Sequence, residues 1–242
     1  MQEKREKTKK SAEEKRAFEI LLAGGRFPVA GVDEVGRGPL AGPVVCAAVI
    51  LPDTPLAEGV DDSKKLSPKR REALAAYIRE IALAYTVYEV NEKTIDQINI
   101  LQATRLAMKE AVSALKIPPG IVLTDGNMTL DIPFPQKSVV RGDGLCYSIG
   151  AASILAKVHR DALMERYAEE YPQYGFGKNK GYGTAEHIKA IGEYGLCPIH
   201  RRTFAEKFWD TRGKKSRKNI CKPRAAGSGA RIRRPRSRER TS

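Results

Sequence analysis

Two adjacent acids, Asp33 and Glu34, stand inside an apolar run, directly ahead of the glycine-rich turn Gly36-Arg37-Gly38-Pro39. Burying carboxylates is costly unless something offsets their charge. A structural ion pair is one such offset and a bound cation is the other. Gly36 and Gly38 bare their N–H groups beside the acids, where an anionic ligand and a cation could meet. The pattern points to metal-dependent phosphate chemistry. Two further acids follow predicted strands: Asp125 after Ile121-Val-Leu-Thr124, and Asp143 after Val139-Val-Arg-Gly142. Asp125 could simply serve an Asp-Gly turn, and Asp143 could cap the following helix. Strand ends on one edge of an open α/β sheet converge on a shared crevice, however, which favours a common role. Carboxylate oxygens without imidazole or thiolate select hard cations, Mg²⁺ or Mn²⁺. Two such ions roughly 4 Å apart can activate a water and stabilise the leaving oxygen of a phosphodiester. Because strand side chains alternate, Asp33 and Glu34 share one site only if the strand is already breaking at Glu34.

The elements that must position these acids are legible in outline. Residues 3–19, rich in Lys and Glu, predict a solvated helix ending near Gly24-Gly25. Residues 29–35 and 43–51 read as neighbouring buried strands joined through the glycine turn. Ser67-Pro68 supplies an N-cap and then a proline at the first helical position, opening a helix to about Ala82. Residues 85–90, aromatic and β-branched, predict a third strand. Ile98, Leu101, Met108, Val112 and Leu115 fall on one face of a long helix, stopped by Pro118-Pro119. Residues 121–124 and 138–141 make a fourth and a fifth strand. A helix from about Tyr147 to Tyr171 carries small residues (Gly150, Ala151, Ala152, Ala156) that permit close packing, and 184–208 read as helical again. This order predicts an α/β fold, a mixed sheet flanked by helices, rather than strict strand–helix alternation.

The chain of 242 residues carries a net charge of +14, unevenly spread. Residues 211–242 hold 13 Lys and Arg against the single acid Glu239, whereas 21–210 hold 23 bases and 23 acids. The basic pI therefore belongs to a tail whose attraction to phosphates is nonspecific and salt-sensitive. That tail is too poor in apolar residues to support a packed fold, so disorder is expected there. Four cysteines without CxxC spacing and three scattered histidines argue against a zinc site. No apolar run has membrane-spanning length and nothing resembles a secretory leader, so a cytoplasmic protein is expected. Gly36-x-Gly38-x-x-x-Gly42 lacks dinucleotide-fingerprint spacing, and there is no phosphate-loop motif.

The chain closely resembles the ribonuclease HII family, the type 2 ribonucleases H. The resemblance runs over roughly residues 28–208 and rests on an ordered set of motifs. These are Gly31-Val-Asp-Glu-Val-Gly-Arg-Gly-Pro-Leu-Ala-Gly-Pro43, Asp62-Ser-Lys-Lys-Leu66, Thr124-Asp-Gly-Asn127, Gly142-Asp143, Ala151-Ala-Ser-Ile-Leu-Ala-Lys-Val158, Arg160-Asp161, Tyr174-Gly-Phe176, Lys180-Gly-Tyr-Gly-Thr184, His187 and His200-Arg201. It implies an RNase H-like fold with a C-terminal helical region, and Asp33, Glu34, Asp125 and Asp143 as metal-binding catalytic residues. It also implies cleavage of the RNA strand of RNA–DNA hybrids, and of ribonucleotides embedded in duplex DNA, leaving a 3′-hydroxyl and a 5′-phosphate. Gly36, Arg37, Gly38 and Tyr182 would sense the ribose, since only the 2′-OH distinguishes RNA from DNA at one nucleotide. Lys64, Lys65 and Lys180, in loop motifs, are candidates for phosphate contact. Ser153, Lys157 and Arg160 share a helical stripe that either touches phosphates or is solvated. His187 and His200 are expected to be structural hydrogen-bonders.

The expected organisation is a charged extension over 1–27, a catalytic domain over 28–210 and a disordered basic tail over 211–242. One competing reading is a noncatalytic basic-tailed RNA-binding protein in which Asp33 and Glu34 merely pair with Arg37 or a lysine. Another is an RNase H-like nuclease acting on DNA junctions.

Overall fold

The computed structural model describes residues 10–54, 57, 59, 60, 63 and 66–209. Lys64, Lys65 and the basic tail lie outside the described residues. Five strands, β1 (Val29–Val35), β2 (Val44–Ile50), β3 (Ala84–Val90), β4 (Ile121–Asp125) and β5 (Gln136–Val139), form one sheet in the order β3-β2-β1-β4-β5. β1, β2 and β3 pair antiparallel, while β4 runs parallel to β1 and β5 parallel to β4. This is the predicted mixed sheet.

β2, Val-Val-Cys-Ala-Ala-Val-Ile, is buried throughout because both faces of the sheet are covered. On one face Val32, Cys46, Ala48 and Ile50 pack against Ala103, Ala107 and Met108 of α3 (Glu92–Ser113). On the other, Val45, Ala47 and Val49 meet Ala151, Ala152 and Leu155 of α5 (Tyr147–Glu170) and Leu74 and Ile78 of α2 (Pro68–Ile81). The small residues of α5 allow a close approach. A Cβ on Gly31 would collide with the backbone of Ser148 and Ile149, so this strand position two residues before Asp33 admits only glycine. A third apolar cluster joins Leu40 and Ala41 to Met164, Phe176 of α6 (Phe176–Asn179), Ile191 of α7 (Ala185–Tyr194) and Ala205 of α8 (Arg202–Ala205). It anchors the far side of the glycine turn. Among the described residues no helix is long and apolar enough to cross a membrane.

Several expectations need correction. The N-terminal helix, α1 (Ala12–Ala23), is not a solvated one: Lys15, Arg16 and Glu19 are buried. Lys15 donates to the Val60 carbonyl, and Glu19 accepts from Ser148, so their charges are met inside the fold. The helix predicted from Ile98 begins at Glu92 and is broken at Asn99 (φ 65°), whose side chain caps the second segment through the Leu101 and Gln102 N–H groups. β5 starts two residues earlier than expected. The last helical stretch is cut at Gly195 (φ 81°), where α7 ends.

Candidate active site

The parallel pairing of β1 with β4 ends at Val32 opposite Thr124. Asp33 and Asp125 are the next residues on their strands, at the same sheet edge. Asp33 is 5 % exposed. It accepts from the Glu34 N–H at 2.7 Å, and the Ser153 hydroxyl of α5, which donates to Ser63, eases its charge from nearby. Asp125 accepts from the Gly142 N–H at 2.6 Å, which pins the α4 turn (Gly142–Leu145) against the end of β4. Asp143 sits in that turn, its Oδ1 accepting from the Gly144 N–H at 2.9 Å. A Cβ on Gly142 would lie 2.6 Å from Ile149 Cδ1, so the turn packs closely on α5.

Glu34 departs from the expected route to the site. β1 does not break before it: the ladder to β2 continues to Val35 opposite Val45. Asp33 faces α5 with Ala47, and Glu34 takes the opposite face with Cys46. What opens is the other side of β1, because β4 stops at Asp125 and leaves residues 33–35 without a partner there. Carboxylates from both faces can reach this notch, and the charge of Asp125 acts on Asp33 and Glu34 alike.

Among the described residues the electrostatics expose a deficit of positive charge. Burial first, then the charges of Glu34 and Asp125, hold the Asp33 carboxyl well above the usual range. Glu34 is also raised by burial, although Arg37 opposes the shift across 3.3 Å. Among the described residues no group of three or more His, Cys, Asp or Glu side chains is drawn together tightly enough to cage a metal. Each acid instead leans on a local donor: the Glu34 N–H, Arg37, the Gly142 N–H or the Gly144 N–H. Bare carboxylates repel, and a divalent cation is what would draw them closer. The all-oxygen donor set and its uncompensated charge fit a hard divalent ion.

Beside the acids, Gly36 (φ 91°) starts the turn, and Arg37 and Gly38 are exposed. Tyr182, 42 % exposed, stands over Gly38: a Cβ there would lie 3.8 Å from Tyr182 Cε1. The Lys180 ammonium pairs with Glu165 at 2.9 Å, an exchangeable surface contact. Around Lys64 and Lys65, Arg71 braces the flanking Ser63 and Leu66 carbonyls.

The stripe of Ser153, Lys157 and Arg160 is not a solvated face. Ser153 donates to Ser63, Lys157 pairs with Asp161, and Arg160 is fully buried. His187 and His200 form a hydrogen-bonded chain from the Tyr182 carbonyl to the Cys197 N–H. With His187 Nδ1 donating to that carbonyl and His200 Nδ1 accepting from Cys197, both rings are neutral. Burial, and for His200 its neighbour His187, hold both below the ordinary histidine value, His200 at about 3. A cleft of about 330 Å³ lined by Lys93, Asp96, Cys197 and Arg202 contains none of the four acids. The acids lie instead where β1 outruns β4. Residues that sequence reading did not single out for a role, above all Arg201 and Glu19, act through backbone groups. For Arg160 the available signal was its place at helical spacing among the apolar residues Ile149, Ala156 and Leu163.

Comparison with known proteins identifies the family. The family profile described as Ribonuclease HII matches residues 30–209. The ribonuclease HII of Pelodictyon phaeoclathratiforme is 56% identical over 182 residues, 73% of this chain and 88% of that protein. That of Geotalea daltonii is 57% identical over 181 residues, covering 75% and 84% respectively. Among solved structures, the ribonuclease H2 of Pyrococcus horikoshii superposes with a TM-score of 0.62 at 30% identity, covering 74% of this chain and 96% of that one.

Proposed function

The chain belongs to the ribonuclease HII family, and from that premise we propose how its site residues divide the work. The protein is a metal-dependent endoribonuclease acting on RNA–DNA hybrids. The noncatalytic tail-driven binder finds no support in the relatives. Within the hybrid-cleaving activity, Asp33 and Glu34 anchor the metals, Asp125 completes their binding, and Asp143 positions the second ion or the attacking water. Mg²⁺ or Mn²⁺ would supply an activated water and charge stabilisation of the leaving oxygen. The remaining contributions are the chain's own. The Glu34 N–H holds Asp33 in one orientation, Asp125 fixes the turn that carries Asp143, and Arg37 tempers the charge of Glu34. Gly36, Arg37 and Gly38 offer backbone donors to the ribose 2′-OH. Tyr182 packs on the adjacent deoxyribose, where an extra hydroxyl would clash. Lys64, Lys65 and Lys180 contact phosphates. These roles extend the substrate range to ribonucleotides embedded in duplex DNA, cut to leave 3′-hydroxyl and 5′-phosphate ends.

The observation that carries this reading is the gathering of Asp33, Glu34 and Asp125 where β1 outruns β4, with too little positive charge among the described residues to balance them. A 5′-labelled duplex containing one ribonucleotide tests it beside an all-DNA twin. Cleavage at the ribonucleotide only, stopped by EDTA and restored by excess Mg²⁺ or Mn²⁺, is expected. Equal cutting of both duplexes, or cutting in EDTA, would overturn it.

A further inference from the structure

We propose that Arg160 and Arg201 are positioning residues for ribose recognition: Arg201 turns the Arg37 and Gly38 N–H groups outward, and Arg160 fixes the spacing between their loop and Tyr182. The inference rests on the reading of residues 36–38 and Tyr182 as the ribose sensor.

Both guanidiniums are fully buried, an unfavourable placement for a charge that lacks a counter-ion. Neither forms an ion pair with a carboxylate among the described residues. Their six hydrogen bonds all go to main-chain carbonyls. Arg201 donates through Nε to Gly42 at 2.9 Å, through Nη1 to Arg37 at 2.9 Å and through Nη2 to Gly36 at 2.5 Å. Arg160 donates through Nε to Pro43 and through Nη2 to Ala41, each at 3.1 Å, and through Nη1 to Lys180 at 2.9 Å. Burial, and then the charge of Arg160, lower Arg201 to about 9, which leaves it a cation at neutral pH.

Peptide planarity gives these contacts a direction. In a trans peptide the N–H of one residue opposes the C=O of the residue before it. With the Gly36 and Arg37 carbonyls drawn inward to Arg201, the Arg37 and Gly38 N–H groups must face out. Both residues are exposed, and neither N–H reaches an acceptor among the described residues. A buried cation behind the peptide dipoles also strengthens the outward donors. The Arg37 side chain is meanwhile engaged with Glu34, so its backbone is the part left for a ligand.

Arg160 does the complementary work. It spans from residues 41 and 43 to the Lys180 carbonyl, and the Leu40 N–H adds a bond to the Gly181 carbonyl at 2.8 Å. Two loops more than a hundred residues apart in sequence are thereby held in register, with the Tyr182 ring over Gly38. The loop rests directly on the guanidinium, since a Cβ on Gly36 would strike the Arg160 side chain and lie 2.9 Å from the Pro43 carbonyl. A lysine supplies the charge but not the planar fork that grips several carbonyls at once.

The test measures affinity in EDTA for a duplex with one ribonucleotide and for its all-DNA twin, in wild type, R201K and R160K. The wild-type preference for the ribonucleotide is expected to fall about tenfold in each variant, equivalent to losing one or two hydrogen bonds. Affinity for the all-DNA duplex should stay within about twofold. A folded R201K with undiminished preference, or an equal loss on both duplexes, would overturn the proposal. A wild type without preference would instead remove the ribose-sensor reading beneath it. If neither variant folds, amide exchange in the wild type decides. The Arg37 and Gly38 N–H groups should exchange fast in the free protein and be protected by the ribonucleotide duplex but not by its all-DNA twin. Protection by both duplexes or by neither would refute the inference.

Discussion

Asp33 is the residue at which function most plainly opposes stability. Its carboxyl is buried beside two other acids, and its proton affinity is raised above that of the unfolded chain. The native state therefore binds the proton more tightly, and ionisation weakens the fold as pH rises through and beyond the ordinary carboxylate range. Asp33→Asn should raise the Tm in EDTA at pH 7 by a few degrees, a shift that about 1–2 kcal/mol produces in a chain of this size. The gain should shrink as pH falls through the ordinary carboxylate range, below which the wild-type carboxyl is protonated in both states. Added Mg²⁺ or Mn²⁺ should stabilise wild type but much less the variant, whose cleavage should be abolished. Thermal melts across pH, with and without metal, check all three. A wild type more stable than Asp33→Asn at pH 7 in EDTA would contradict the charge deficit.

At the level of elements, α1 acts as a brace for α5. The α5 N-terminus has no side-chain cap of its own. Glu19 substitutes for one, accepting from the Ser148 N–H at 2.7 Å and the Ser148 hydroxyl at 2.6 Å, while Arg16 neutralises it from the preceding turn. This holds α5 against β1 at Gly31 and behind the turn bearing Asp143. Glu19→Ala should cost about 2–4 kcal/mol, because it leaves a buried N–H unpaired and a buried guanidinium without its nearest acid. Glu19→Gln, which keeps one acceptor oxygen, should cost less. Chemical denaturation distinguishes the two, and an Ala variant as stable as wild type would refute the brace. Catalytic loss should track the same order, since the Asp143 turn leads directly into α5.

Across the whole molecule, charge is separated by region: a neutral body carries the site and the excess positive charge lies beyond it. Each phosphate neutralised by a basic tail steepens the salt dependence of duplex binding by about 0.9 in log–log slope. Removing residues 212–242 should therefore weaken duplex affinity and flatten that slope, leaving the cleavage position unchanged. Titrations over a salt series measure it. An unaltered slope after truncation would mean the tail takes no part in binding.

The amino-acid sequence alone determined which residues could do chemistry here, because strand-end acids and bare glycines write their roles in residue type and local spacing. The apolar strand runs, the helix start at Ser67-Pro68 and the helix stop at Pro118-Pro119 likewise made the mixed sheet legible. Only the tertiary structure decided how Glu34 joins the site: not by a break in β1, but because β4 ends a rung early and opens one side of the strand. It alone turned Lys15, Arg16, Glu19, Arg160 and Arg201 from apparent surface charges into buried ones. The physical reason is common to all five. A charged side chain is buried when main-chain carbonyls, N–H groups or opposite charges meet it in the fold, and most of those partners come from distant segments that local pattern cannot reveal.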